Sequence, residues 1–486
     1  MTRYLCSLFL FCGWFHLPST TAGPAPNIVF LFADDQRADT IGAWGNPHIQ
    51  TPNLDRLVAR GFSFRGNYCF GGNSGAVCIP SRAMLMSGRT WYKTPHSLEG
   101  VTTFPEHLRR HGYETFATGK WHNGQPSFLR SFDQGRSIHF GGMDDHTKIS
   151  IQDLNSDRSF TAKRPAEHFS SEQFADRIIE FLRRPVKDKP FLAYVAFTAP
   201  HDPRNPPENW RPKKGELLPP LPANYLPQHP FDNGELVLRD EELLPWPRPP
   251  AAVREQLGEY YGLIRHLDAQ IGRILDALAR SPHASNTYIV YAADHGLALG
   301  SHGLLGKQNV YEPSMRCPLI IAGPSIPSGK STTAFTYLYD LFPTFCRITQ
   351  TPVQPDLDGF DLSPLWNGSA TTLRDSVFLP YQGSMRALRD ERWKLICYPQ
   401  VNHRQLFDLH TDPDERVNVA GDPAHRATID RLLTQMQAWQ KQVGDTQTLT
   451  VSNPKPLIRD LTGLKRKPDP WQPQWVVEKY FNQLTP

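Results

Sequence analysis

Three apolar runs in this chain are each followed by side chains that carry charge or can bind a metal. The runs and the polar residues after them are 27–33 with Asp34 and Asp35, 191–197 with His201, and 288–293 with Asp294 and His295. Unbroken apolar runs of this length favour strands that are buried on both faces, as in parallel sheets. The three runs therefore predict a buried sheet whose strands end in polar residues.

Segments with helical periodicity separate these runs. Pro52 suits the first position of a helix capped by Thr51, and Gly61 lies beyond its end. Apolar residues three and four apart mark further helices within 174–182 and 257–278. Strands that alternate with helices predict an α/β fold with a large, mixed but mostly parallel central sheet flanked by helices. Ligands bind at the carboxyl ends of strands in such sheets, where these polar residues lie.

The sequence changes character near residue 366. Residues 387–398 predict a hairpin, residues 405–409 a further strand, and residues 425–442 a helix rich in Leu and Gln. These elements predict a small C-terminal antiparallel-sheet subdomain with one helix, over 366–450. The preceding α/β domain is then expected to span 23–365.

Two segments have no periodic pattern. Residues 201–250 contain thirteen prolines, and a loop this long inside a domain is usually functional or disordered. Because it starts at His201, we expect it to be ordered and to form a wall of the active-site cleft. The last residues, 451–486, are interrupted by prolines and are expected to pack over the surface.

Residues 1–22 have the pattern of a secretory signal peptide. Arg3 supplies a positive charge, residues 5–17 are largely apolar but too short to span a bilayer, and residues 20–22 are small. The alternatives are a disordered tag or a core segment. We predict an exported protein, periplasmic or extracellular. It would have no integral membrane segment, because no later stretch is long and apolar enough for a membrane helix.

Removal of residues 1–22 leaves an odd number of cysteines, so at least one of them is unpaired. They are Cys69, Cys78, Cys317, Cys346 and Cys397. The four besides Cys78 are either free or paired, and a chain of 486 residues is long enough to need no disulfide scaffold. The formal net charge of +4 gives no reason to expect nucleic-acid binding.

Cys78 lies in an unusual context, because it is followed by Ile79, Pro80, Ser81 and Arg82. The motif predicts a turn that leads into a short helix with Pro80 at its first position. Backbone N–H groups at a helix N-terminus and the fixed charge of Arg82 would favour negative charge near Cys78. The alternative is a buried structural cysteine.

Two other short motifs contain candidate site residues. Asp34 and Asp35 are adjacent carboxylates that repel one another, and a divalent cation is the natural way to hold them together. The alternative is a solvated turn. Lys120 and His122 lie two apart on an extended segment and therefore point to the same side. Their alternative is a surface lysine beside a buried tryptophan.

Residues 78–82, followed by residues 85–89, resemble the signature of the formylglycine-dependent (type I) sulfatases of the alkaline phosphatase superfamily. The resemblance extends from about residue 26 to about residue 420. Residues 294–303 resemble the branch that includes iduronate sulfatase, choline sulfatase and many bacterial polysaccharide sulfatases. Membership implies that Cys78 is oxidised after translation to formylglycine (3-oxoalanine).

The resemblance also implies the roles of the site residues. One Ca²⁺ per chain would be bound by Asp34, Asp35, the oxygen of matured Cys78, Asp294 and His295. The implied catalytic residues are Cys78, Arg82, Lys120, His122, His201 and Lys307. Lys120 and Lys307 would bind the sulfate oxygens. His201 would contact and protonate the leaving-group oxygen, and His122 would take a proton from the second hydroxyl of hydrated formylglycine.

The expected substrate is a sulfated carbohydrate or another sulfated small molecule. Asp145 and His146 follow two glycines and would reach sugar hydroxyls, although a surface turn is the alternative. A formylglycine-generating or other sulfatase-maturing enzyme is an expected partner. Two other functions stay open. One is a phosphonate or phosphodiester hydrolase with the same site, and the other is a secreted glycan-binding protein in which Cys78 keeps its thiol.

Overall fold

The computed structural model describes residues 24–185 and 189–483. The predicted signal peptide, residues 1–22, lies outside the described residues. The strands are β1 (Asn27–Ala33), β2 (Phe62–Tyr68), β3 (Glu114–Lys120), β4 (Gln134–His139), β5 (Ser150–Ile151), β6 (Arg164–Pro165), β7 (Phe191–Ala196), β8 (Thr287–Ala293), β9 (Leu319–Ala322), β10 (Lys330–Tyr337), β11 (Val377–Tyr381), β12 (Met385–Arg389), β13 (Trp393–Tyr398) and β14 (His403–Asp408).

Helices connect most of these strands. They are α1 (Pro52–Arg60), α2 (Cys78–Ser87), α3 (Phe104–Arg110), α4 (Gln125–Ser131), α5 (Ser170–Leu182), α6 (Pro250–Ala279), α7 (Glu312–Met315), α8 (Leu341–Thr349), α9 (Ser363–Trp366), α10 (Arg426–Val443) and α11 (Gln474–Val477). The predicted helix after Thr51 is α1, but the Thr51 side chain donates to Asp55 Oδ1 at 3.0 Å and does not cap the helix. The other two predicted helices are α5 and α6.

An eight-stranded sheet forms the centre of the fold, in the order β10-β2-β9-β8-β1-β7-β3-β4. Strand β9 is antiparallel to both of its neighbours, and all other neighbouring pairs are parallel. The prediction of a mixed, mostly parallel sheet is therefore confirmed. The three apolar runs are β8, β1 and β7, which lie side by side at its centre, so their polar ends meet.

Alternate residues of β1 supply the two halves of the hydrophobic core. Phe30 and its even-numbered neighbours pack in one cluster with residues of α2, α3 and α8. Leu31 and its odd-numbered neighbours pack on the opposite face with residues of α1, α5 and α6. This alternation is what a strand period of two produces when both faces are buried. Helices cover both sides of the sheet, as predicted.

A second sheet lies near the C-terminus, in the order β11-β12-β13-β14. Its neighbouring strands are all antiparallel, and buried residues of α10 pack in the same core cluster as its side chains. The predicted antiparallel sheet with one helix is confirmed. This sheet also touches the loop before α2. Gly71 has a φ of 83°, and a Cβ atom there would lie 2.0 Å from the Pro380 carbonyl oxygen, so only glycine fits.

The proline-rich segment 201–250 packs beside the strand ends. It contains two short 3₁₀ helices, Glu208–Trp210 and Glu241–Leu243. The C-terminal residues lie against it, because the Asp232 N–H donates to the Leu457 carbonyl oxygen at 2.7 Å. Apolar side chains from residues 476–481 share a core cluster with this segment and with α6. The last described residues therefore lie against one wall of the region where the strands end.

Candidate active site

Three carboxylates lie together where β1 and β8 end. The Asp35 N–H donates to Oδ1 of Asp294 at 3.0 Å. The Asp34 N–H donates to the carbonyl oxygen of Ala199 at 3.2 Å, which joins the end of β1 to the segment after β7. All three carboxylates are buried. Asp35 has a φ of 62°, in the left-handed region that aspartate tolerates better than most residues.

Cys78 and Arg82 reach this group of carboxylates from the start of α2. Cys78 is the first residue of the helix, and Pro80, expected at the first position, is the third. A proline is tolerated there because the first turn of a helix has no partners for its N–H groups. Arg82 lies one turn later, on the same face. Its Nε atom donates to Oδ2 of Asp294 at 3.0 Å.

The Sγ atom of Cys78 lies among groups of opposite charge. The Nζ atom of Lys307 is 2.9 Å away, and Oδ1 of Asp34 is 3.4 Å away. Burial and Asp34 raise the pKa of the Cys78 thiol, and they outweigh Lys120 and Lys307. The thiol is therefore neutral, in contrast to the negative charge expected at this helix start. The reason is that the helix begins in a buried place beside carboxylates.

Two buried lysines neutralise the paired carboxylates. Nζ of Lys120 donates to Oδ2 of Asp34 at 2.5 Å, and Nζ of Lys307 donates to both carboxylate oxygens of Asp35 at 2.7 Å. Burial raises the pKa of Asp34, but Lys120 and Arg82 outweigh burial and hold that pKa well below its usual value. These charges are tolerated inside the protein because each has a partner.

His201 follows β7 and faces the same carboxylates. Its Nε2 atom lies 3.5 Å from Oδ2 of Asp35, and its Nδ1 atom lies 3.2 Å from Oδ1 of Asp202. Burial and Lys307 lower the pKa of His201, but Asp35 and Asp202 outweigh them and hold it well above its usual value. The imidazole therefore carries a proton in this arrangement and can act as a proton donor.

The pKa of His122 is shifted in the opposite direction to that of His201. Burial, together with Lys120 and Arg82, lowers its pKa to about 2, so its imidazole is neutral. Its Nδ1 atom is buried and has no hydrogen-bond partner in the described part of the chain. Gly142 lies directly against the ring, where a Cβ atom would be 2.9 Å from Cε1 of His122. A neutral imidazole nitrogen without a partner presents a lone pair that can accept a hydrogen bond.

Four side chains offer ligand atoms that all lie within 4.8 Å of one another, namely Asp34, Asp35, Cys78 and His201. Three of them were expected from the sequence as metal ligands, whereas His201 was not. The sequence contained a signal for His201, because this residue follows the apolar run 191–197. In the structure that run forms β7, the neighbour of β1, and so His201 lies beside Asp34. Carboxylate oxygens that lie this close together fit a hard cation such as Ca²⁺.

The other two expected ligands, Asp294 and His295, lie outside this group of four side chains. Asp294 uses both carboxylate oxygens within the site, toward the Asp35 N–H and Arg82. Burial and Asp34 raise the pKa of Asp294 to about 6. His295 is fully buried, and its Nε2 atom has no hydrogen-bond partner among the described residues. Nδ1 of His295 lies 3.6 Å from Sγ of Cys69, so the unpartnered Nε2 atom is the one available to a cation.

Asp145 and His146 are both buried, so the alternative of a surface turn does not apply. Nε2 of His146 lies 2.9 Å from the carbonyl oxygen of His201. Oδ1 of Asp145 accepts from Nδ2 of Asn205 at 3.1 Å. In these positions the two side chains support the loop that contains His201, and a contact with sugar hydroxyls stays a prediction.

Sequence reasoning missed several residues that fix the site. The hydroxyl of Tyr260 donates to the carbonyl oxygen of Asp35 at 2.7 Å and accepts from the Arg37 N–H at 2.9 Å. Tyr260 lies on α6, and no local sequence pattern marked its hydroxyl. Asp202 was visible next to His201, but its contact with the imidazole depends on the fold of the loop.

Comparison with known proteins decides the family. The family described as Sulfatase matches residues 26–351, which is more than half of the chain. The chain belongs to the sulfatase family. A second description, N-sulphoglucosamine sulphohydrolase, C-terminal, matches residues 300–442 of this sulfatase. The resemblance inferred from residues 78–89 is confirmed, and the protein is a sulfatase enzyme.

Relatives cover most of this sulfatase. It is 29% identical over 448 residues to choline-sulfatase of Rhizobium meliloti, with 84% of each chain covered. It is 26% identical over 502 residues to N-acetylglucosamine-6-O-sulfatase of Bacteroides thetaiotaomicron, with 86% of this chain and 87% of the relative covered. A protein solved in complex with its substrate D-glucosamine-2-N,6-O-disulfate has a TM-score of 0.75 and 25% identity, covering 87% and 99%. The enzyme therefore hydrolyses sulfate esters.

Two further properties of this sulfatase follow from the described residues. The cysteines at 69, 78, 317, 346 and 397 are all buried and unpaired. None of the helices within 24–185 and 189–483 is both long and apolar enough to cross a membrane.

Proposed function

We propose that this sulfatase removes sulfate from a sulfated carbohydrate, using a formylglycine made from Cys78 and one bound Ca²⁺. The observation that carries the proposal is the position of Cys78. Its Sγ atom lies 2.9 Å from Nζ of Lys307 and 3.4 Å from Oδ1 of Asp34. A side chain at this position touches both a positive charge and the carboxylates that suit a hard cation.

Formylglycine and Ca²⁺ would have distinct roles in the reaction. Formylglycine at position 78 would supply the nucleophile as a hydrated aldehyde. Asp34, Asp35, Asp294 and His295, with the oxygen of residue 78, would hold Ca²⁺, which supplies positive charge toward the sulfate oxygens. A nitrogen donor such as His295 is less usual for Ca²⁺ than oxygen, but the three carboxylates dominate this set.

Three buried cations would bind the sulfate group. Arg82, Lys120 and Lys307 are each at most 2% exposed. Water and salt screen their charges little in such a place, so they act strongly on the negative charge that develops during hydrolysis. Each cation is already paired with a carboxylate of the site, which fixes its direction before substrate arrives.

The two histidines would move protons in opposite directions. His201 holds a proton and would donate it to the oxygen of the departing alcohol. His122 is neutral and would accept a proton at its unpartnered nitrogen. The difference comes from their surroundings, since His201 faces Asp35 and Asp202 whereas His122 faces Lys120 and Arg82. Such a division between a proton donor and an acceptor suits an ester hydrolysis.

The names of the relatives support a sulfated sugar as substrate. One relative is an N-acetylglucosamine-6-O-sulfatase, and a structural relative was solved with D-glucosamine-2-N,6-O-disulfate as its substrate. For the same reason we keep Asp145 and His146 as candidate substrate-binding residues. We propose in addition that residues 1–22 direct export to the periplasm or outside the cell. A sulfatase-maturing enzyme would then act on Cys78.

The proposal is tested with protein coexpressed with a formylglycine-generating enzyme. Its turnover is measured on a panel of sulfated glucosamines, on 4-nitrophenyl sulfate and on a phosphate diester, with Cys78→Ala as the inactive control. We expect the highest kcat/KM on a sulfated sugar and no turnover by Cys78→Ala. A preference for the phosphate diester would indicate a phosphodiester hydrolase. Binding of sugars without turnover, with the Cys78 thiol still present, would indicate a glycan-binding protein.

A further inference from the structure

The C-terminal segment reaches the active site through Arg239. Nε of Arg239 donates to Oδ2 of Asp469 at 2.8 Å, and its guanidinium lies 4.8 Å from the ring centroid of Trp471. Both partners lie beyond residue 442, where the second family match ends. The contact therefore joins the proline-rich wall to a part of the chain that neither family match includes.

The same arginine also forms hydrogen bonds with Asp202. NH1 of Arg239 donates to Oδ1 of Asp202 at 2.6 Å, and NH2 donates to Oδ2. Nε2 of Gln472 donates to Oδ2 of Asp202 at 3.3 Å. Asp202 is 5% exposed, and both of its carboxylate oxygens have fixed donors. A planar guanidinium held at Nε by Asp469 and on its face by Trp471 has little freedom to turn.

Asp202 in turn fixes His201. Nδ1 of His201 lies 3.2 Å from the Asp202 carboxylate and 2.9 Å from its carbonyl oxygen. With Nδ1 held on this side, Nε2 is directed to the opposite side, toward Asp35 at 3.5 Å. The ring atom proposed to deliver a proton is thus aimed by a group on the far side of the imidazole.

We propose that Asp469 and Gln472 are positioning residues for His201, acting through Arg239 and Asp202. The C-terminal segment completes the proton-donating half of the site. This inference rests on the proposed function, because it assumes that His201 protonates the leaving group. Without Asp469, Nε of Arg239 loses its partner. NH1 still donates to Oδ1 of Asp240 at 2.9 Å, so the guanidinium keeps some support but holds the Asp202 carboxylate less firmly against the imidazole.

The test compares two leaving groups. 4-Nitrophenolate departs from sulfur without a proton, whereas the alcohol of a primary sugar sulfate needs one. We measure kcat and KM of matured protein on 4-nitrophenyl sulfate and on glucosamine 6-sulfate, for Asp469→Asn, Gln472→Leu, Arg239→Lys and Arg239→Gln. The control is Asp460→Asn, an exposed carboxylate of the same segment whose Oδ1 atom accepts from the Thr462 N–H at 2.8 Å. Thermal unfolding of each variant is measured to check that it is folded.

Mispositioning of a general acid should lower kcat for the sugar sulfate and leave the aryl sulfate nearly unchanged. We expect a loss of about tenfold for Asp469→Asn and Gln472→Leu and about a hundredfold for Arg239→Gln on the sugar sulfate. Arg239→Lys should recover part of that loss, and KM should stay constant because no sulfate contact changes. Asp460→Asn should match the wild type.

Equal losses on both esters, or no loss on either, would overturn the positioning role, since a structural effect does not distinguish leaving groups. Gln472→Leu keeps Arg239 and Asp469 intact, so it tests the inference even if the Asp469 variant unfolds. Failure of the proposed function has a different signature. In that case matured wild-type protein would hydrolyse neither ester, and both proposals would fall.

Discussion

Nζ of Lys307 donates a hydrogen bond to Sγ of Cys78 at 2.9 Å, and the same ammonium contacts both carboxylate oxygens of Asp35. A group made from Cys78 would therefore form beside a buried positive charge. We expect Lys307→Met to lower kcat on sulfate esters by about 10²–10³-fold, the usual cost of removing one donor that stabilises developing negative charge. The measurement is steady-state kinetics of matured protein.

The matched control for this prediction is Lys330→Met, at the exposed start of β10, which should leave kcat unchanged. An active Lys307→Met protein with wild-type kcat would show that this ammonium does not act on the reacting group.

Removal of divalent metal should abolish turnover, because Asp34, Asp35 and Asp294 are three buried carboxylates at one place. Without a cation, their mutual repulsion is balanced by Arg82, the two lysines and the protonated His201. We expect chelation to inactivate the enzyme and Ca²⁺ to restore it more fully than Mg²⁺, since the site offers several oxygens without a fixed octahedron. Atomic emission of the purified protein should show one Ca²⁺ per chain. Full activity in metal-free protein would contradict this prediction.

A buried ion-pair group around Lys394 joins the C-terminal sheet to helix α7. Nζ of Lys394, on β13, lies 3.0 Å from Glu312 and 2.8 Å from Glu415. Lys394→Met would leave both carboxylates short of a partner in a buried place. We expect the free energy of unfolding to fall by about 3–5 kcal/mol. Denaturant unfolding measures it, with the exposed Lys441→Met as control, and a loss below about 1 kcal/mol would show that water already reaches the pair.

Acid should weaken the same group of ion pairs. Burial raises the pKa of Glu415, but Lys394 and His302 outweigh burial and lower it to about 2, from a usual value of 4.5. Because the folded pKa lies below the unfolded one, the ionised carboxylate stabilises the fold above pH 4.5. That stabilisation is lost as the pH falls toward 2. The melting temperature should therefore fall less steeply over this range in Glu415→Gln. Parallel curves for the two proteins would rule out Glu415 as the source.

The positions of the central site residues could be predicted because apolar runs are followed by polar residues. An apolar run marks a buried strand, and a polar residue directly after it must lie at the strand end. Asp34 follows this rule, and His201 lies four residues after the run 191–197; neighbouring strands bring the two together. The helix at Cys78 was predictable from its local sequence, although Pro80 is its third residue and not its first.

The electrostatics of the site could not be predicted in the same way. The pKa of Cys78 depends on burial and on Asp34, which is 44 residues away in the sequence. The contact between Arg239 and Asp469 joins residues 230 apart, and neither lies in a periodic segment. Such contacts depend on how irregular segments pack over the strands, and a local sequence pattern does not contain that information.

The most direct test of the account is the mass of the peptide that covers residues 65–92, taken from catalytically active protein made in its own host. The account predicts that the side chain of residue 78 has lost its sulfur and two hydrogens and gained one oxygen, in a fraction that rises and falls with kcat. A preparation with full activity and an unmodified thiol at Cys78 would contradict it.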